Sequence, residues 1–372
     1  VAWHLAIGMD RMAAPRIAAS VHLLIAAASL AAVDGGSARA VAWRSHVSLA
    51  RPSPPRSGHA ACADAEGRVW LFGGYCEDAG TAEREPTNDL WCLEEGEWTL
   101  VHGPTTDSSR PGPRLCSAFA PAPSGRELLL FGGWDPRPAG SGGSFHQDVW
   151  SLSLPEGDGA PVWTQLDAPM PRGPTSRHVA CAVGSELLVH TFRCTSAVLR
   201  WDREKRALVE QPTSGETPPS LGLHAAAGVG DSLVVFGGAD KSGEMSRDAY
   251  VLDTHTWTWN RVPIDGACPS ARAGACAAAL DSERMVLFGG AERAPGGAGL
   301  VPRDDAWVLH VPCDGSRPPH WEALDVAGPA PPARNAASLT ASTTRDGKLL
   351  VLHGGWHPFV RTFDDTHILE ME

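Results

Sequence analysis

Five arginines, Arg56, Arg114, Arg177, Arg272 and Arg334, each stand at or just before a run of small residues. A guanidinium is the side chain that forks two hydrogen bonds onto one carboxylate. Three large aromatic residues, Tyr75, Trp134 and Trp356, each follow a Gly-Gly pair, and such rings are the amphipathic anchors that binding hot spots favour. The chemistry these residues offer is capture of an acidic group beside an aromatic surface.

Signals for catalysis are sparse. The sequence contains no G-x-x-x-x-G-K-[ST], no G-x-S-x-G and no H-E-x-x-H, so neither a phosphate cradle, a serine elbow nor a zinc helix is expected. His353 and His357 lie four apart with His367 nearby, but Gly354-Gly355 between them forbids the helix that would bring the first two to one face. No metal and no cofactor is expected. An aspartate recurs at one step of the pattern, in Asp89, Asp148, Asp248, Asp305 and Asp365. Its regular return marks a structural role in the repeat, bonding the neighbouring turn, rather than a carboxylate site.

The elements that position these residues emerge from an internal period. A short apolar run ending in Gly-Gly recurs as Val69–Gly74, Leu128–Gly133, Leu233–Gly238, Met285–Gly290 and Leu349–Gly355, with a sixth copy, Leu187–Phe192, that lacks both glycines. Each run is preceded by a small-residue segment: Gly58–Ala63, Ser117–Ala120, Val179–Val183, Ala225–Val229, Gly274–Leu280 and Ala336–Ala341. Each is followed by the aspartate step, as in Asp89-Leu90-Trp91, with Ala197-Val198-Leu199 as the weak copy. A tryptophan then closes the unit at Trp98, Trp163, Trp257 and Trp321, with Leu208 standing in for the third. The segments are short, bounded by Gly, Pro, Asp and Ser, and show no helical period after residue 40, so each unit reads as four β-strands, a to d.

This ordered combination resembles the kelch family, whose unit is a four-stranded propeller blade of about 50 residues. The resemblance covers residues 41 to 372 and implies an all-β, six-bladed kelch-type β-propeller. The last copy ends without an outer tryptophan, while Trp43 precedes the first. Residues about 41 to 50 are therefore expected to complete blade six, closing the ring and leaving no open sheet edge.

Residues 1 to 40 differ in kind. Ile17 to Val33 is apolar and Ala-rich, Arg11 and Arg16 precede it, and Ala38-Arg39-Ala40 has the form of a signal cleavage site. The segment is read as a signal or leader, which implies the secretory pathway; without it a cytoplasmic location is expected. No other stretch is long and apolar enough to span a bilayer as a helix. Among the nine cysteines there is no Cys-x-x-Cys. Cys62, Cys181 and Cys276 fall in strand a as small core residues, whereas Cys76, Cys194, Cys268 and Cys313 lie nearer loops and could pair in an exported protein.

The formal charge of -12 leaves no basic footprint for nucleic acid. In a blade the d-to-a and b-to-c loops share one face, so the arginines are expected around the mouth of the central channel and the aromatics beside them, with Leu221 the exception in blade four. Kelch domains of substrate adaptors use such an Arg-lined face for acidic peptides. The resemblance implies a protein-interaction scaffold binding a protein or acidic peptide ligand through Arg56, Arg114, Arg177, Arg272, Arg334, Tyr75, Trp134 and Trp356. The alternative is a kelch-type enzyme acting on a small molecule or carbohydrate, resembling sialic-acid epimerases. Copper radical oxidases resembling galactose oxidase need two site tyrosines, and this chain has only Tyr75 and Tyr250. The iron-dependent kelch proteins need an E-x-x-x-D-x-x-x-H that is missing here.

Overall fold

The computed structural model describes residues 41–46, 53–78, 83–138, 142–155, 157, 159–296, 299–313, 317–344 and 347–371. The leader expected over residues 1 to 40, and residues 47 to 50 of the closing segment, lie outside the described residues. Six sheets, each with antiparallel strands in the order a, b, c, d, make a six-bladed β-propeller, and in blade four a short parallel strand, Ser214–Gly215, adds to the outer edge. Strand a comprises Ala60–Ala63, Ala118–Pro121, Val179–Val183, Ala225–Val229, Cys276–Ala279 and Ser338–Thr344 in the six blades. In blade six strand d is Val41–His46, which pairs with Thr366–Met371 in the register Val41↔Met371 to His46↔Thr366. The first described strand thus completes the last blade. Among the described residues no helix is long and apolar enough to cross a membrane.

Strand a lines the axis in every blade, and the enclosed channel has a volume of about 340 Å3. Its wall is mostly alanine, with Cys62, Cys181 and Cys276 among the lining residues. Small side chains predominate where six strands converge. Cys62, Cys76, Cys92, Cys116, Cys181, Cys194, Cys268 and Cys276 are free thiols, among them Cys76, Cys194 and Cys268, expected near loops as disulfide candidates.

The apolar core is divided among the blade interfaces. One cluster joins blades one and two, another blades two and three, and so on around to the contact between blades six and one. At each interface one aromatic repeats. The outer tryptophan of a blade packs on the last residue of strand b in the blade before it: Trp163 on Phe72 (5.3 Å between ring centroids), Trp321 on Phe236 (5.2 Å), Trp43 on Phe288 (5.4 Å) and Trp98 on His353 (4.8 Å). This contact is the physical reason for the recurrent tryptophan, because a large ring fills the wedge between two splayed sheets.

One detail differs from the sequence expectation, and another, in blade three, extends it. In blade four the outer residue is Trp259, which is buried, pairs with Leu252 and packs on His190 at 5.6 Å. Trp257 instead occupies the preceding turn with φ of 55°. Blade three solves the same packing problem by exchange. Elsewhere a leucine of strand c faces the outer tryptophan, as Leu93 faces Trp98, but here Trp201 comes from strand c and Leu208 from strand d. Trp201 reaches Phe131 of blade two at 6.3 Å, so the ring arrives at the interface from the neighbouring strand.

Candidate functional site: the loop face of the channel

The arginine before strand a, the first glycine after strand b and the aspartate of strand c form one assembly. Arg114 Nη1 donates to the Gly132 carbonyl (3.0 Å) and to Asp148 Oδ1 (2.6 Å), and its Nη2 donates to Asp148 Oδ2 (2.9 Å). Trp150 Nε1 donates to the same carboxylate at 2.7 Å. Arg56 repeats this with Gly73, Asp89 and Trp91, and Arg272 with Gly289, Asp305 and Trp307. Arg334 uses Gly354 and Asp365, with His367 in place of the tryptophan. All four guanidiniums are at most 1% exposed. Burial alone would raise the Asp89 carboxyl, but the charge and hydrogen bonds of Arg56, with those of Trp91 and Thr87, outweigh it and hold Asp89 below the ordinary range.

Arg56, Arg114, Arg272 and Arg334 therefore do not ring the channel mouth as free cations. Each is enclosed by its own blade, where a desolvated charge requires a partner. The aspartate that sequence reading assigned to bonding a turn bonds this arginine. The same loops also tie neighbouring blades. Gly74 N donates to the Arg114 carbonyl at 2.9 Å, and a Cβ on Gly73 would stand 2.7 Å from that oxygen. With φ of 64° and 100° at the pair, only glycine allows both the turn and the approach. Blade three has Thr191-Phe192 here, and among the described residues no equivalent bond links it to blade four.

Arg177 belongs to a different position. The residue equivalent to Arg114 in blade three is Thr175, whose carbonyl accepts from Gly133 N. Arg177 is two residues further on, equivalent to Gly58 and Cys116. At this position the backbone forms a closed ring: Cys116 N donates to Gly58 O, Arg177 to Cys116, Leu223 to Arg177, Gly274 to Leu223, Ala336 to Gly274 and Gly58 to Ala336, at 2.7–3.1 Å. All six residues have φ between 53° and 68°. The ring encircles the channel mouth, and Arg177 is the one charged side chain in it.

The half-buried Arg177 lies over Trp134 at 5.7 Å. Trp134 Nε1 donates to Gly142 O at 2.6 Å, and its ring stacks on Phe145, which is 48% exposed. A second group lies across blades one and six, where Arg84 sits 4.5 Å from the Tyr75 ring centroid and 5.2 Å from that of Trp356. Arg84 Nη2 donates to Ser57 Oγ at 2.7 Å, while its buried Nε has no partner. Burial lowers the Arg84 pKa, and the opposing effects of Tyr75, Glu77 and Cys76 do not restore it. Tyr75, Trp134, Trp356 and Arg177 thus fall into two groups on the loop face, one with Arg84 and the other with Phe145. Neither Arg84 nor Phe145 belongs to the repeat, so the sequence pattern does not single them out.

His353 is buried, and both ring nitrogens bond hydroxyls, Nε2 to Ser53 Oγ (2.8 Å) and Nδ1 to Thr366 Oγ1 (2.9 Å). Its place at the end of strand b is the one phenylalanine fills in four other blades.

The sequence profile of the KLHDC2/KLHL20/DRC7 Kelch-repeats domain matches residues 38–199 and 178–372, spanning all six blades. The chain belongs to this kelch-repeat family. Among kelch-containing relatives, Kelch domain-containing protein 1 of Mus musculus is 23% identical over 288 residues, which cover 69% of this chain and 66% of that protein. Adagio-like protein 3 of Oryza sativa subsp. japonica is 30% identical over 312 residues, covering 78% of this chain and 45% of that protein. The kelch chain spans about half the length of the plant relatives it matches. The solved structure of YjhT superposes with a TM-score of 0.60 at 16% identity, covering 86% of this chain and 96% of that one. That likeness concerns the kelch propeller fold.

Proposed function

We propose that this kelch propeller is a protein-interaction scaffold that holds a partner segment, rich in carboxylates, on the loop face around the channel mouth. The observation that carries the reading is the pair of guanidinium–aromatic groups, Arg84 with Tyr75 and Trp356, and Arg177 with Trp134. Among the described residues neither arginine forms an ion pair, whereas the four clamp arginines are consumed inside their blades. A carboxylate placed between such rings would gain a charge-assisted bond in a partly water-excluded setting. The aromatic rings would supply the apolar contact.

Selection from a random peptide library tests this. The binders should be enriched in Asp and Glu and should weaken with salt. The combined R84A and R177A variant should bind them at least about ten-fold more weakly with its unfolding midpoint nearly unchanged. Selected peptides that bind this variant normally would place the surface elsewhere. The alternative, an enzyme acting on a small molecule or carbohydrate, is favoured by no particular contact of this face.

A further inference from the structure

Blade four keeps the acceptors of the arginine clamp without the arginine. The reciprocal backbone bonds Gly222–Ala239 match Leu115–Trp134 of blade two, which puts Leu221 where Arg114 stands. Gly237 and Asp248 occupy the places of Gly132 and Asp148. In the four complete clamps the glycine carbonyl accepts a guanidinium N–H; among the described residues Gly237 O receives no such bond. Asp248 Oδ1 accepts from Arg261 Nη2 at 2.7 Å, from the solvent side, where Arg261 is about half exposed. Tyr250 replaces the tryptophan and makes no bond to the carboxylate, so Oδ2 has no donor among the described residues.

A small cavity lies at this point, lined by His190, Leu221, His224, Gly237, Asp248 and Tyr250 among others, with room for about one water molecule. Leu221 is half-buried at its edge, and Pro218-Pro219 forms a stiff lip beside it. His224 Nδ1 donates to the Leu221 carbonyl and His190 Nδ1 to His224 Nε2. Burial keeps both imidazoles neutral, so neither opposes a cation.

We propose that this incomplete clamp is a seat for an arginine side chain of a partner segment, which displaces Leu221 outward and bonds the Gly237 carbonyl and Asp248 Oδ2. The chain itself supplies the precedent, since the same acceptor pair holds a guanidinium in blades one, two, five and six. Arginine fits better than lysine because the two acceptors call for two coplanar donors. The seat uses other residues than the loop-face aromatics and does not rest on that reading.

Titration calorimetry of the full chain with acetyl-Gly-Arg-Gly-amide, its citrulline counterpart and free guanidinium ion tests the seat. The arginine peptide should bind saturably and the citrulline peptide should be at least about ten-fold weaker. Leu221→Arg, which supplies the missing guanidinium in cis, should abolish binding and raise the unfolding midpoint. Asp248→Asn should abolish it independently, and R84A with R177A should leave it unchanged. Equal binding of arginine and citrulline, no binding by the native chain, or binding retained in both L221R and D248N would overturn the proposal. Free guanidinium binding as tightly as the peptide would overturn the assignment to a partner's side chain and leave the seat to a small cation.

Discussion

Replacing Arg114 with alanine separates a structural arginine from a binding one. The change removes donors from the carbonyls of Gly112 and Gly132 and from both oxygens of Asp148. It leaves Asp148, 19% exposed in its side chain, with Trp150 Nε1 as its remaining side-chain donor. Breaking a buried pair from one side costs about 3–5 kcal/mol, because the remaining charge stays desolvated. The lower part of that range applies to a carboxylate that still reaches water. Urea unfolding at neutral pH, followed by tryptophan fluorescence, should show this loss. Replacing both partners by apolar residues, as in R114M with D148L, should recover at least about half of it, since no lone charge is left. The half-buried Arg177, held by a ring contact worth about 0.5–1 kcal/mol, should cost no more than that when changed to alanine. An R114A variant within about 1 kcal/mol of the native protein would refute the clamp as a stabilising element.

Acid should loosen the propeller before its carboxylates titrate. Burial lowers His178 and His224 to about 4 and His353 to about 3, whereas an unfolded histidine titrates near 6.5. The unfolded chain therefore takes up protons first, and stability falls as pH drops below about 6.5. At pH 5 the loss is about 2 kcal/mol for each independent histidine. The urea midpoint should fall between pH 7 and pH 5, and His353→Phe should flatten that slope; equal midpoints would contradict the burial argument. The exchange in blade three predicts coupling: W201L alone should cost about 2–4 kcal/mol, and W201L with L208W should regain most of it. Additive losses in the double-mutant cycle would show that the two positions do not share one wedge.

Much of the architecture was legible because its causes repeat. The apolar run, the glycine pair and the outer tryptophan recur since each blade meets its neighbour through the same wedge and the same close backbone approach. Trp43 could be placed in blade six for that reason, and Leu208 could be identified in blade three from spacing alone. Where one copy drifted, spacing misled. Trp257 and Trp259 both fit the outer position, and only the strand register decides for Trp259. Arg177 looked like a fifth clamp arginine because the two positions are two residues apart, and the degenerate third copy offered no glycines to fix the frame. The site was harder to read. Sequence shows that an arginine and an aspartate recur, but not that they turn toward each other inside the blade. Arg84 and Phe145 carry no repeat signal at all, so only the folded loops bring them to the aromatics.

The backbone ring at the channel mouth has an electrical consequence. Each of its six residues spends both its N–H and its C=O on the ring. The six N–H groups are therefore closed off from an anion, unlike the unsatisfied N–H groups at the start of a helix. Recognition of charge at the ring then falls to side chains, and among its six positions the only charged side chain is that of Arg177.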